Sequence, residues 1–284
     1  MSTMNYPKQI LGSLLLAFLF TSCNNNAPAT ANTTPAGTDS SGMREETITF
    51  PSDGANLQAF VVYNDSIKDK RPAVIVIPEW WGLNDYPKKR ARMLAKLGYV
   101  AMALDLFGDG KVAPNPDSAK AYTAPFYSDP MKAKVRIDSA IARLKTYDNV
   151  DTSAIGAIGY CFGGGVLLNT VRLGDDALKG AVSFHGSLLG TPARKDLLHT
   201  KILVCHGNSD KFVTPEQVAE FKKQMDSIGA TYTFIGYDSA THAFTNPDAD
   251  KYAREFHMPI AYNPKADTAS WDAMKDFFKG VFGR

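Results

Sequence analysis

Short apolar runs alternate with amphipathic segments through most of this 284-residue chain. The strand-like runs lie at 73–77, 100–104, 154–158, 181–184, 202–205 and 231–237. Between and after them, helical periodicity is found at 87–97, 130–145, 164–172, 215–228 and 270–278. This alternation predicts a parallel sheet with helices on both faces. Two earlier runs, 47–50 and 59–62, are joined by the turn residues Pro51-Ser52-Asp53-Gly54 and predict an antiparallel hairpin. We therefore predict an α/β fold with a mostly parallel, eight-stranded sheet.

The first 42 residues have a different composition from the rest of the chain. Lys8 is the only charged residue before Cys23, and the apolar run 10–20 is too short to span a bilayer as a helix. With Thr21-Ser22 before Cys23, this pattern predicts a signal peptide over 1–22 and resembles a bacterial lipoprotein signal with Cys23 lipidated. Phe20 stands where such signals usually have leucine, and a plain secretory peptide cut nearby is the alternative. We expect an exported protein, periplasmic or at the cell surface, with the membrane leaflet left open.

The segment 23–42 is predicted to be a flexible tether, because it is made almost entirely of Asn, Ala, Pro, Thr, Ser and Gly and has little apolar surface to bury. The remaining residues, 43–284, are enough for one domain. Removal of 1–22 takes away only Lys8, so the 31 basic residues become 30 against 29 acidic ones. This balance gives no reason to expect a nucleic-acid partner, or any membrane contact beyond the anchor.

Gly159-Tyr160-Cys161-Phe162-Gly163-Gly164-Gly165 joins a strand-like run to a helical one. A strand, a glycine-flanked nucleophile and a helix form a nucleophile elbow, here with cysteine where serine is usual. The sharp turn requires small neighbours, and the start of the helix favours negative charge on the thiol. The alternative is a buried, unreactive cysteine.

A cysteine nucleophile needs a base and an orienting acid. The chain offers five histidines: His185, His199, His206, His242 and His257. His199 and His257 do not directly follow a strand. His185 and His206 each precede a glycine in a turn after a strand, where packed histidines are more common than catalytic ones. His242 follows the last strand and Asp210 the one before it, so the order Cys161, Asp210, His242 is that of the α/β-hydrolases. Functional residues of a parallel sheet gather at the carboxyl ends of its strands, as these three do.

Five motifs resemble the dienelactone hydrolase family: Ile77-Pro78-Glu79-Trp80-Trp81-Gly82, Leu104-Asp105-Leu106-Phe107, Gly159 to Gly164, His206-Gly207-Asn208-Ser209-Asp210 and Thr241-His242-Ala243-Phe244. The resemblance covers about Ile48 to Phe278 and implies an α/β-hydrolase fold, a Cys-His-Asp triad and hydrolysis of an ester or lactone. It also implies that Glu79 lies near the thiol and influences its resting protonation. A solvated loop acid is the alternative for Glu79.

The expected chemistry is attack by the Cys161 thiolate on a carbonyl, with an acyl-enzyme that water then releases. The oxyanion is expected to be held by the backbone N–H groups of Phe162 and Trp80. No metal and no cofactor are predicted, because no His/Cys/carboxylate spacing matches a metal site.

Other residues depart from the pattern that this family uses for anionic dienelactones. Arginines that would hold the substrate carboxylate are replaced by Asp109 and Asn246, and a serine after the histidine is Ala243. Asp109 is expected to repel such a substrate, although Lys111 is a possible compensating charge. An aromatic pocket formed by Trp80, Trp81, Phe107, Phe126 and Tyr127 is expected instead, with core packing as the alternative for these rings.

Three further interpretations remain open. The same triad is compatible with acyl transfer or thioester hydrolysis, and a lipid-anchored binding protein without activity is possible because a fold does not fix a function. A thiol redox role for Cys161 lacks a resolving cysteine. A Cys161–Cys205 disulfide is excluded by the predicted sheet, in which a strand separates the two.

Overall fold

A computed structural model describes residues 32–38 and 42–283 of the chain. Its strands are β1 (Asn32–Thr38), β2 (Met43–Ser52), β3 (Ala55–Asn64), β4 (Arg71–Ile77), β5 (Val100–Leu104), β6 (Val150–Tyr160), β7 (Leu178–Phe184), β8 (Lys201–Gly207) and β9 (Tyr232–Tyr237). Its helices are α1 (Asp85–Lys96), α2 (Pro116–Ser128), α3 (Pro130–Leu144), α4 (Phe162–Arg172), α5 (Pro215–Ile228), α6 (Ala249–Phe256) and α7 (Pro264–Phe282).

The strands form one sheet in the order β1-β2-β3-β5-β4-β6-β7-β8-β9. The pairs from β1 to β5 are antiparallel, and those from β5 to β9 are parallel. The predicted hairpin and parallel α/β sheet are therefore confirmed. The carboxyl ends of β4, β6, β7, β8 and β9 meet at one edge of the sheet, and β4 and β7 are the two neighbours of β6.

Strand β1 lies in the segment predicted to be a flexible tether, and it is the ninth strand of a sheet predicted to have eight. Asn32–Thr38 pairs antiparallel with β2, from Asn32 opposite Thr49 to Thr38 opposite Arg44. The prediction considered only side-chain burial. An edge strand is also stabilised by backbone hydrogen bonds, which a polar, Thr-rich segment makes as well as an apolar one. The predicted signal peptide and Cys23 lie outside the described residues.

Helices α2 and α6 were not predicted. Helix α2 contains Pro125 in its interior, and a proline inside a periodic segment normally argues against a helix. Asn115 and Pro116 provide the signals that start it, because the Asn115 side chain accepts a hydrogen bond from Ser118 N–H and proline fits the first turn. Helix α6 has only eight residues, which is too short a segment for helical periodicity to be distinctive in the sequence.

The core lies on both faces of the sheet. All seven residues of β4 are buried, as expected for a central parallel strand. Met274 and Phe278 of α7 are buried against one face, as the sequence predicts for this helix. A Cβ atom at Gly156 of β6 would lie 2.7 Å from the Phe278 ring, so the glycine lets α7 approach the sheet. In residues 32–38 and 42–283, no helix combines the length and the apolarity needed to cross a bilayer.

Candidate active site

Cys161 is the residue between β6 and α4, and its backbone is strained. Its φ of 52° and ψ of −117° lie outside the regions that L-residues normally populate. Gly163, two residues later, approaches β4 so closely that a Cβ atom there would lie 2.3 Å from the Ile77 carbonyl oxygen. The turn that the glycines predict is therefore present, and it displays the Cys161 side chain at the carboxyl edge of the sheet.

Three side chains from three loops form a continuous hydrogen-bonded cluster. His242, after β9, has its Nε2 3.0 Å from Cys161 Sγ and its Nδ1 2.8 Å from Asp210 Oδ2. The Asp210 side chain is fully buried, and its Oδ1 accepts a hydrogen bond of 2.7 Å from Phe212 N–H. The structure thus brings together the three residues that the sequence places after separate strands.

The pKa values of His242 and Asp210 are shifted in the directions expected for a hydrogen-bonded imidazole and carboxylate, raised for His242 and lowered for Asp210. Burial opposes a charge on His242, but the electrostatic interaction with Cys161 and the hydrogen bond to Asp210 outweigh it and hold the pKa of His242 well above its usual value. Burial likewise acts to raise the pKa of Asp210, and its hydrogen bond with His242 reverses this and leaves the pKa lowered. This environment stabilises the positive charge that His242 acquires when it accepts a proton.

Glu79 follows β4 and is buried, with 4% of its surface exposed. Its Oε2 accepts a hydrogen bond of 2.6 Å from Asn246 Nδ2, while its Oε1 is buried without a partner. Burial raises the pKa of Glu79 to about 7, against the hydrogen bond from Asn246. The alternative interpretation of Glu79, an acid in a loop exposed to solvent, is therefore wrong. Asn246 contacts it at the position where the family pattern has arginine.

A second hydrogen-bonded chain lies behind the elbow. Cys161 N–H donates to Phe184 O at 3.0 Å and to His185 Nδ1 at 3.1 Å. His185 Nε2 lies 2.7 Å from Thr245 Oγ1, which lies 2.7 Å from the Tyr86 hydroxyl. Burial and the nearby positive charges hold the pKa of His185 well below its usual value, so its ring is neutral. Acceptance by Nδ1 then places the ring proton on Nε2, where it donates to Thr245.

His185 thus has the packed, hydrogen-bonded role that the sequence favours for it, but its link to Thr245 was not predicted. Thr245 lies three residues beyond His242, and a threonine in a loop carries no distinctive signal. Of the other histidines, His206 is buried against Phe234, while His257 is exposed at the end of α6. His199 lies in the segment between β7 and β8.

A cavity of about 580 Å³ contains Cys161 and His242 in its lining. Trp80, Trp81, Tyr127 and Phe162 also line it, together with the other lining residues Glu79, Pro130, Asn169, Ser187, Leu189, Gly190, Thr191, Phe212, Val213, Ala243, Asn246, Tyr252, Met258 and Ile260. The lining contains no lysine or arginine within the part of the chain that the structure describes. The cavity therefore provides apolar surface around the Cys161 thiol, and no described lysine or arginine lines it to bind an anion.

Two of the predicted pocket aromatics, Phe107 and Phe126, do not line this cavity. Both are buried, with their ring centroids 5.8 Å and 5.7 Å from that of Phe162. Both rings pack on the ring of Phe162, the residue after Cys161, and so support it from the core. The rings of Phe107 and Phe126 therefore belong to the core, which was the alternative to a place in the pocket.

Asp109 and Lys111 also lie away from the cavity. They pair with each other at 3.4 Å, both side chains are about half exposed, and Asp109 Oδ1 accepts a hydrogen bond from Asn56 N–H. The expectation that Asp109 repels an anionic substrate is therefore wrong, and Lys111 does not compensate for the missing arginine. Within residues 42–283, no group of three His, Cys, Asp or Glu side chains is arranged to hold a metal ion. Cys161 and Cys205 are both free thiols, in agreement with the strand predicted between them.

The fold and the elbow define an α/β-hydrolase. The dienelactone hydrolase family model matches residues 57–282, and the chain belongs to that family. It is therefore a hydrolase of the dienelactone hydrolase type.

Individual relatives agree with this assignment. The chain is 29% identical over 217 residues to a probable 2-oxo-3-(5-oxofuran-2-ylidene)propanoate lactonase of Bradyrhizobium sp, covering 72% of this chain and 82% of that protein. It is 25% identical over 263 residues to a putative carboxymethylenebutenolidase of Methylorubrum extorquens, covering 89% and 86%. Among solved structures, a dienelactone hydrolase-like promiscuous phosphotriesterase from metagenomic libraries has a TM-score of 0.79 at 31% identity, covering 84% of this chain and 99% of that one.

Proposed function

We propose that this protein hydrolyses uncharged carboxylic esters or lactones through a Cys161-His242-Asp210 triad and an acyl-enzyme. One observation carries the proposal. Sγ, imidazole and carboxylate are linked by contacts of 3.0 Å and 2.8 Å, with the thiol displayed on a strained elbow inside a cavity. Nucleophile, base and orienting acid within hydrogen-bond reach are what acyl transfer through a thiol requires.

The reaction proceeds in two balanced halves. His242 Nε2 takes the thiol proton, Sγ attacks the carbonyl carbon, and the tetrahedral intermediate collapses as its C–O bond breaks. The leaving oxygen takes the proton from His242, which leaves a thioester on Cys161. Water then gives a proton to His242 and attacks the thioester, and the departing sulfur is protonated again as the acid leaves. Asp210 holds the imidazole in the required tautomer and stabilises its cation throughout.

The oxyanion is held by two backbone N–H groups. Phe162 is the first residue of α4, so its N–H has no carbonyl partner within that helix. Trp80 lies in the turn after β4 that is closed by the hydrogen bond from Gly82 N–H to Glu79 O. Donors at a helix N-terminus and in a fixed turn are already oriented when the negative charge develops, which is the main advantage of such a site.

The substrate is proposed to be uncharged. The cavity lining of the described residues has no lysine or arginine, and Asn246, which stands at one of the family's arginine positions, lines the cavity. Glu79 adds negative charge above pH 7, which disfavours an anion further. An uncharged ester needs none of the missing cations.

Glu79 is proposed to influence the resting protonation of Cys161. It lines the same cavity, and the sequence resemblance gives it this role. Its pKa of about 7 means that it exchanges a proton near neutral pH.

A panel of esters, lactones and thioesters tests the proposal against the wild type, Cys161→Ala and Cys161→Ser. We expect wild-type hydrolysis of uncharged esters or lactones and none above background with Cys161→Ala. Full activity of the folded alanine variant would refute the assignment. Added alcohols or amines distinguish hydrolysis from acyl transfer by the acyl products that form, and a folded wild type that cleaves nothing on the panel favours a binding protein.

Phosphotriester hydrolysis is a second candidate, favoured by the likeness to the promiscuous phosphotriesterase together with a cavity lining that has no lysine or arginine among the described residues. Attack of Cys161 on the phosphorus of an uncharged triester would release the leaving group and form a phosphorylated thiol, which water would then hydrolyse. Release of 4-nitrophenol from diethyl 4-nitrophenyl phosphate tests it. Equal rates of 4-nitrophenol release by the wild type and Cys161→Ala would exclude triester hydrolysis through attack by Cys161.

The protein is also proposed to be exported and anchored by a lipid on Cys23. The support is the sequence of residues 1–23. Fractionation of cells that produce the full chain tests it, with Cys23→Ala as the variant. We expect the wild type in the membrane fraction and the variant in a soluble one, and equal distribution of the two would contradict the anchor.

A further inference from the structure

Three large hydrophobic side chains are exposed around the mouth of the cavity. The large hydrophobic residues exposed in the described chain are Leu97, Val112, Tyr127, Met131, Val135, Leu189 and Phe212. Of these, Tyr127, Leu189 and Phe212 line the cavity, and they are exposed by 58%, 56% and 51%. They come from the end of α2 and from the loops after β7 and β8. We call these three residues the apolar rim.

The rim begins directly beside the catalytic residues. The Phe212 ring centroid lies 5.0 Å from that of His242, and the Tyr127 ring centroid lies 5.7 Å from that of Phe162, the residue after Cys161. Leu189 and the oxyanion donor Trp80 lie on opposite sides of strand β6, which ends just before Cys161. Leu189 follows β7 and Trp80 follows β4, and these strands flank β6 on opposite sides. A group extending from a carbonyl bound at Cys161 towards the β7 side therefore reaches the rim.

Exposed apolar surface is unfavourable in water, and a patch that surrounds a binding cavity marks a surface that a ligand covers. The rim is continuous with a cavity that holds the nucleophile, so the ligand that covers it is the one that enters the cavity. The lining has no lysine or arginine among residues 42–283, so these side chains cannot neutralise an anionic group of the ligand. We therefore expect an uncharged ligand.

We propose that the apolar rim binds a hydrophobic chain or aryl group of the substrate, and that the enzyme therefore prefers uncharged esters with substituents long enough to cross the cavity. This inference rests on the proposed esterase function. The shared chemistry is a hydrophobic substituent, on either the acyl or the alcohol side of the ester. Each methylene group that becomes fully buried raises kcat/KM by about fourfold, so several contacting methylenes give a large and measurable preference.

The test uses Leu189→Asp, with Leu97→Asp as the matched control. Leu97 is 44% exposed at the end of α1 and does not line the cavity, so the same change is made there on an unrelated surface. One arm varies the acyl chain of 4-nitrophenyl esters from acetate to octanoate. The other varies the alcohol chain of acetate esters, so that the arm with the steeper dependence identifies the side that contacts the rim.

We expect wild-type kcat/KM to rise with chain length in at least one arm. Leu189→Asp is expected to lower kcat/KM for the long substrate, through KM, by at least tenfold more than it lowers kcat/KM for the acetate ester of 4-nitrophenol. Leu97→Asp is expected to match the wild type throughout. Ester hydrolysis that is independent of chain length, or a Leu189→Asp profile parallel to the wild type, would overturn the inference while leaving the esterase function intact.

Binding of uncleavable methyl ketones separates the two claims. Titration of 2-decanone and 2-butanone into each protein is expected to show tighter binding of the longer ketone, and loss of that difference in Leu189→Asp alone. If no ester is cleaved but this pattern is found, the esterase function fails and the rim remains a hydrophobic binding site. If Leu189→Asp instead weakens only the binding of the protein to phosphatidylcholine vesicles, the rim is a membrane contact and the inference is wrong.

Discussion

Replacement of Glu79 by glutamine tests how the protein holds a buried carboxyl group in the cavity that contains its thiol. Burial raises the pKa of Glu79 from 4.5 to about 7, and the side chain is only 4% exposed. Glutamine has nearly the same shape and can still accept the hydrogen bond from Asn246 Nδ2. The substitution therefore removes the titration of residue 79 and leaves most of its packing in place.

The effect of pH on the free energy of unfolding follows from the difference between the pKa values of Glu79 in the folded and the unfolded chain. Below pH 4.5 the carboxyl group is protonated in both the folded and the unfolded chain, so it adds no pH dependence. Between pH 4.5 and about 7 the unfolded chain loses the proton while the folded protein keeps it, and the free energy of unfolding falls as the pH rises. The two pKa values differ by about 2.5, which corresponds to a loss on the order of 3 kcal/mol that is complete above about pH 7.

Urea denaturation at a series of pH values from 4 to 9, followed by tryptophan fluorescence, measures this loss. We expect Glu79→Gln to gain on the order of 3 kcal/mol over the wild type between pH 4.5 and pH 7.5. Glu255→Gln, a control at an exposed position of α6, is expected to show no such gain. A stability difference between wild type and Glu79→Gln that stays constant across this range would refute the claim that Glu79 is buried with a raised pKa.

Three other predictions concern the supports of the site. Asp210→Asn is expected to lower kcat by about 10³–10⁴-fold, because the amide no longer fixes the imidazole tautomer. Gly163→Ala is expected to lower the free energy of unfolding by about 2 kcal/mol, since its Cβ would meet the backbone of β4, whereas Gly280→Ala in α7 has open space and is expected to gain about 0.5–1 kcal/mol. Thr245→Val is expected to leave the buried His185 Nε2–H without an acceptor and to cost about 1–3 kcal/mol, with kcat reduced as the elbow loses its support.

Steady-state kinetics and urea denaturation measure these effects. Near-normal kcat in Asp210→Asn would contradict the triad, and equal stability of the two glycine variants would contradict the close approach of α4 to β4. Thr245→Ser keeps the hydroxyl and is the control for Thr245→Val. If the serine variant loses as much activity and stability as the valine variant, the hydrogen bond to His185 is not what supports the elbow.

The central site was predictable because each member carries a local signal. Cys161 is flanked by glycines between a strand and a helix, and Asp210 and His242 each follow a strand. Parallel strands bring their carboxyl ends to one edge, so the topology converts three distant positions into neighbours. The same reasoning places Glu79 at that edge.

The predictions were wrong where a local pattern does not determine the surroundings. Phe107 and Asp109 follow a central strand, but whether a side chain after a strand faces the cavity depends on the path of its loop. Here the turn held by Asp105 carboxylate bonds to Gly108 and Gly110 N–H directs Asp109 away from the cavity. The exposed position of Leu189 likewise depends on a loop without regular structure.

The most direct test of the account is detection of the acyl-enzyme. The wild type is mixed with 4-nitrophenyl butyrate, quenched with acid during turnover and digested, and the peptides are analysed by mass spectrometry. If Cys161 is the nucleophile, we expect a butyryl group on Cys161 as a thioester, and no butyryl peptide from Cys161→Ala treated in the same way. A butyryl group attached to a different residue in the active wild type, or sustained turnover by Cys161→Ala, would contradict it.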